Sequence, residues 1–241
     1  MPMAEQPDLF TAGVGEAARL AFAGDPLDEA RARMVRHGAH ALDETETLAL
    51  ILTTRSGARP DALAIAADLV ERFGGLGRVL GAAQADLARV AGPHVAHELG
   101  LLHALLLAVL EHPLRRRPVL SSWDAVETYL RARLAAAPRE AFHVLFLDRR
   151  NQLIADERMG EGTVDHAPVY PREVMRRALE LSSSALVLAH NHPSGDATPS
   201  SADIETTRQV FEAAKCLRIA VHDHLIVAGD TVASFRRLGL L

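Results

Sequence analysis

Cysteine and lysine are nearly absent from this chain, and no apolar run continues without a break for the length of a membrane span. Cys216 is the one cysteine in 241 residues, which excludes an internal disulfide framework and any thiolate zinc cluster. It falls in a helical pattern and is expected to be a small buried side chain. Lys215 is the sole lysine, and the bias toward arginine by itself names no mechanism. The longest apolar stretch, residues 99–110, is interrupted by Gly100 and His103 and falls short of the roughly 20 residues a bilayer demands. Residues 1–6 carry Glu5 and no basic side chain, so neither a secretory signal nor a mitochondrial presequence is expected. Positive charge is also scarce. With 26 Lys and Arg against 31 Asp and Glu, the net charge of −5 argues against a nucleic-acid surface spread over the whole protein. These absences point to a cytoplasmic protein without a membrane span.

What is present is ordinary globular material, 49% hydrophobic and 24% charged, enough for one large domain or two modest ones. Residues 1–26 are poorly patterned and are expected to form a mobile arm. Helical signals then dominate residues 27–111: Asp43 and Glu46 start a helix near Thr45, residues 60–73 end at Gly74-Gly75, and further helices are expected at 80–90 and 95–110. Residues 112–120 combine Pro113 and Pro118 with Arg115, Arg116 and Arg117, the composition of a linker. A mixed domain is expected over 121–241: a helix opened by Ser121 or Ser122, a strand at 142–147 with a hairpin partner at 153–157, a helix with Pro171 in its first turn, and a strand ending at His190. A helix from Ser200 to Cys216 and a strand at 219–227 complete it. That alternation indicates an α/β sandwich around one sheet.

The chemistry concentrates in His190-Asn191-His192-Pro193-Ser194-Gly195 and, after Thr198, in Pro199-Ser200-Ser201-Ala202-Asp203. Residues i and i+2 of a strand point to the same side, so His190 and His192 can converge on one ion. The Pro-Ser-Gly break lets the chain turn back, and Asp203 can supply a third ligand. Two imidazoles and a carboxylate leave one tetrahedral position open for water, the arrangement of a catalytic zinc. Ser200 followed three residues later by an acid also satisfies a helix capping box, so helix geometry alone gives a competing account of that pair. His222, Asp223 and His224 form a second cluster. His222 and His224 share a strand face but lack further ligands nearby, and Asp223 and His224 are expected to support the site or pack the sheet. His143 is expected in the core or on the surface.

The spacing His-x-His, seven residues, Ser, two residues, Asp matches the JAMM (MPN+) metalloprotease signature, and Tyr170-Pro171-Arg172-Glu173, His190–Gly195, Pro199-Ser200 and Asp223-His224 resemble the bacterial RadC-like family. The resemblance implies a cytidine-deaminase-like α/β sandwich behind a small helix-hairpin-helix-like domain. It implies zinc on His190, His192 and Asp203, a glutamate at the start of the first strand as general base, and Ser200 as hydrogen-bond donor to the oxyanion. Glu140 best fits the base position, with Glu157, Glu161 and Glu173 as rivals. A protein or peptide substrate follows from that chemistry. The family's association with DNA repair implies the alternative of a DNA-associated factor in which the metal domain is structural or nucleolytic. The hairpin position reads Gly92-Pro93-His94, where a missing second glycine and a proline without an amide donor weaken phosphate binding. Arg115, Arg116 and Arg117 remain as possible DNA contacts.

Overall fold

The structure, a computed structural model, describes residues 27–56, 61–162 and 169–241; the expected arm at 1–26 and position 60 lie outside them. Contacts divide the chain into two units, Met1–Leu76 and Gly77–Leu241. In the first, α2 (Glu44–Ser56) and α3 (Ala62–Phe73) lie where helices are expected, and α1 (Asp28–His37) precedes them without a specific expectation from the sequence. The Asp43 carboxylate accepts the Glu46 N–H at 2.7 Å and the Glu46 carboxylate accepts the Asp43 N–H at 3.2 Å, which makes the start of α2 a reciprocal cap. Gly74, at φ 78°, ends α3 in the left-handed conformation that glycine adopts without strain. Leu48 and Leu52 of α2 and Leu69 of α3 are fully buried.

Short α4 (Leu76–Gly81) straddles the division, and the second unit continues with α5 (Gln84–Arg116), α6 (Trp123–Leu134), α7 (Pro171–Glu180) and α8 (Ser201–Cys216). Its five strands are β1 (Ala141–Leu147), β2 (Leu153–Glu161), β3 (Ala185–Asn191), β4 (Ala220–Ala228) and β5 (Thr231–Ser234), ordered β2-β1-β3-β4-β5. Among the described strands, only β3 and β4 run parallel. A parallel pair needs a crossover, and α8 supplies it, so the N-terminus of α8 comes back near the carboxyl end of β3. Strand alternation gives the sheet two covered faces. Leu145, Val187 and Leu225 pack with Leu107 and Leu114 of α5 and Leu130 of α6 on one side. Val144, Phe146 and Leu188 pack with Val174 of α7 and Val210 of α8 on the other. The result is the expected mixed α/β layer structure.

The segment expected as a linker is different. Residues 112–116 are the last turn of α5, and a 3-10 turn, Val119–Ser121, follows. The boundary expected between 111 and 121 therefore falls inside the second unit. Burying Leu107 and Leu114 gains about 3–6 kcal/mol, which offsets the ~3 kcal/mol that Pro113 costs within a helix. The helices expected at 80–90 and 95–110 are also divided otherwise: α4 stops at Gly81, and α5 continues to Arg116 through a break at Gly92, φ 83° and ψ 162°. By length and composition α5 has an apolar half sufficient to cross a membrane, which the interrupted run at 99–110 does not suggest. Leu107 and Leu114 place one side of α5 against the sheet, while Leu101, Leu105, Leu106 and Val109 on it are exposed.

A buried polar group lies on the α6 side of the sheet. His143 Nδ1 is 2.7 Å from Asp156 Oδ1, and the Tyr129 hydroxyl donates to Asp156 Oδ2 at 2.6 Å. Burial alone would raise the Asp156 carboxyl, but the His143 and Tyr129 hydrogen bonds, with Arg133, outweigh it and keep the group below its ordinary value. A depressed folded value means this stability is present above the unfolded carboxylate range and is lost as pH falls through the folded one. Asp156→Asn is expected to lower stability by about 1–3 kcal/mol at neutral pH, because a neutral amide replaces the carboxylate that accepts from Tyr129 and faces His143 and Arg133. Denaturant unfolding would measure this, and the gap to wild type should narrow in acid.

Candidate metal centre

Every residue of β3 is buried, with alternate side chains in the two cores, so a polar side chain at its carboxyl end must find partners there. His190 continues the face of Leu186 and Leu188. The His192 N–H still donates to Val227 O at 2.9 Å, which extends strand geometry two residues further and puts both imidazoles on one side. Gly195, at φ 84°, then turns the chain, and its N–H returns to His192 O at 3.1 Å. Ser200 caps α8 in a full capping box: its hydroxyl accepts from Asp203 N at 3.2 Å, and Asp203 Oδ2 accepts from Ser200 N at 2.8 Å. The same box aims the carboxylate at the histidines. Cap and ligand are thus two uses of one geometry.

His190 Nε2 and His192 Nε2 are 2.9 Å apart, His190 Nε2 and Asp203 Oδ1 3.2 Å, and His192 Nε2 and Asp203 Oδ2 3.5 Å. Ligands about 2.0–2.1 Å from zinc in a tetrahedron stand about 3.3 Å apart, which the His190–His192 and His190–Asp203 separations approach, while His192 faces the other carboxylate oxygen. The protonation of His192 fits as well. Its Nδ1 lies 2.7 Å from Asp196 O, a carbonyl that only accepts, so Nδ1 carries a proton and Nε2 faces Asp203. Burial would raise the Asp203 carboxyl, yet the two imidazoles and the Ser200 hydroxyl hold it well below the usual carboxylate range. The same contact raises His192, against the opposing effect of its partial burial. A site that pulls a proton onto His192 is a site that attracts positive charge.

Glu140, directly before β1, lines one cleft of about 240 Å³ with His192, Ser200 and Asp203. Its rivals are engaged elsewhere. Glu157 accepts a bidentate contact from Arg177 at 2.6–3.0 Å, Glu173 pairs with Arg176 at 3.0 Å, and Glu161 with Arg158 at 2.9 Å. No cation pairs with Glu140 among the described residues. Asn191, between the two histidines but on the opposite face of β3, holds the segment that carries Glu140. Its Oδ1 accepts from Ala141 N at 2.9 Å, and its Nδ2 donates to Arg139 O at 3.0 Å and Ala137 O at 3.2 Å. The sequence carries no local sign of this, because the partners lie some fifty residues away.

The second cluster is split. A β-bulge at His222 breaks the register between β3 and β4, so His222 faces Asn151 Oδ1 at 2.6 Å while His224 is fully buried beside His190. The two do not share a face, contrary to the regular alternation expected of the strand. Burial holds His224 well below the ordinary imidazole value. Asp223 accepts from His224 N at 2.8 Å and Arg236 N at 3.0 Å, which ties β4 to the turn after β5. Cys216, expected buried, is exposed: the inward stripe of α8 runs through Thr207, Val210 and Ala214, and position 216 faces away from it. Of the arginines expected at a linker, Arg115 is occupied by Glu111 and Ile154 O, and Arg116 and Arg117 are exposed.

Residues 120–240 match the family model of the RadC-like JAB domain. Over 213 residues the chain is 48% identical to a UPF0758 protein of Rhodobacter capsulatus, a similarity covering 88% of this chain and 99% of that one.

Proposed function

The chain belongs to the RadC-like JAB domain family, and from that membership we propose that its second unit is a zinc-dependent hydrolase of peptide or isopeptide amides. The observation that carries the reading is the convergence of His190, His192 and Asp203, whose ligand atoms lie within 4.8 Å of one another beside an open cleft. Zinc in a three-ligand site with a free fourth position supplies Lewis acidity and lowers the pKa of a water to about 7. Asp203 would offer its carboxylate as the third ligand, oriented by the Ser200 N–H and Oγ–H, which both engage Oδ2, the latter at 2.6 Å. Glu140, without an arginine partner, takes a proton from the attacking water and returns it to the leaving amine. Ser200 would serve the oxyanion by turning its hydroxyl proton away from Oδ2. A DNA contact has less to support it: Arg115 is internally paired and the net charge is −5.

The test is elemental analysis of the purified chain with peptide hydrolysis before and after chelation. About one zinc per chain is expected, with activity that falls on its removal and returns on its addition. Zinc affinity should weaken as pH falls, because the proton that Asp203 draws onto His192 must be displaced. A chain that binds no zinc at neutral pH would overturn the reading.

A further inference from the structure

Behind the three convergent atoms runs a hydrogen-bonded chain that starts and ends on proposed ligands. Thr207, one turn beyond Asp203 on α8, has its hydroxyl 2.6 Å from Asp203 O, and a carbonyl only accepts, so Thr207 donates. Its oxygen is left to accept, and the atom that faces it at 2.5 Å is His224 Nδ1, which must therefore carry a proton. In a neutral, buried ring the other nitrogen is then bare. His224 Nε2 faces His190 Nδ1 at 2.8 Å and accepts from it. With its proton committed to Nδ1, His190 turns Nε2, the atom that would bind a cation, toward His192 and Asp203. Phe235 stacks on the His224 ring at 4.6 Å and Phe142 meets it edge-on at 5.3 Å, so the ring has no room to flip.

We propose that His224, backed by Thr207, is a positioning residue that fixes the proton on His190 Nδ1 and thereby gives the site its affinity for a divalent cation. The inference rests on the metal-site reading above. A fully buried ring needs a partner at each nitrogen whatever its role; what singles this one out is that the partners run in one consistent direction and join two proposed ligands, His190 and Asp203. The circuit also joins β3 to the first turns of α8, so His190 and Asp203 are oriented together before a cation arrives. His192 is set separately by Asp196 O.

The test uses the full chain and zinc alone. Nitrogen-15 spectra of the metal-free wild type should show His190 and His224 both protonated at Nδ1. His224→Phe, which keeps the ring shape, should weaken zinc binding in a chelator competition by about 10–100-fold. Thr207→Val should shift affinity in the same direction and Thr207→Ser should restore it; this pair decides the matter if His224→Phe does not fold. A His190 proton on Nε2, or variants that bind zinc within about twofold of wild type, would overturn the proposal. If the wild type binds no zinc, the metal-site reading fails, and the ring-nitrogen spectra still decide whether the chain of protons exists.

Discussion

Glu140→Gln is expected to leave zinc binding unchanged and to lower hydrolysis by about a hundred- to ten-thousandfold, the range a general base contributes. The substitution keeps shape and removes the negative charge, so loss of activity with metal retained would isolate proton transfer. Glu157, Glu161 and Glu173 are each matched by an arginine, and glutamine at those positions should cost far less. Asn191→Ala should reproduce part of the Glu140→Gln phenotype, since it frees the 137–141 segment from its three hydrogen bonds. Zinc content and initial rates on one peptide substrate would measure all of these. A Glu140→Gln variant with wild-type rates would remove the base assignment and leave the metal assignment standing.

His192→Ala is expected to weaken zinc binding by more than the roughly 10–100-fold that loss of a supporting partner causes, and to abolish hydrolysis with it. The ring takes part in two of the three contacts at 2.9–3.5 Å, and two ligands cannot hold the ion against water in an open cleft. Its side chain is only partly buried, so the fold should survive: thermal unfolding of the metal-free variant should match that of the metal-free wild type. Chelator competition and unfolding curves together separate loss of the ion from loss of the protein. Undiminished zinc affinity in His192→Ala would place the metal elsewhere.

The α/β alternation was legible because β1, β3 and β4 carry continuous apolar runs with breaks at their ends, and the α3 stop was legible because Gly74 needs a positive φ. The misreading of 112–120 has an equally local cause. Two prolines and three arginines have the composition of a linker, and only the burial of Leu107 and Leu114 reveals that the helix continues through Pro113. His222 and His224 misled for a similar reason, since a bulge is a property of two strands and neither one alone displays it.

The order of residues alone determined the pair of histidines on one side of a strand end and the acid at the start of the next helix. Those placements depend on backbone repeats of two and on capping, which act within a few residues. Tertiary structure alone decided that α8 returns Asp203 to within 3.2 Å of His190, that Asn191 grips the segment bearing Glu140, and that His224 and Thr207 stand behind His190. Each of these contacts joins residues from 13 to some fifty positions apart, and a buried hydrogen bond at that range takes its geometry from sheet register and helix packing rather than from neighbouring side chains.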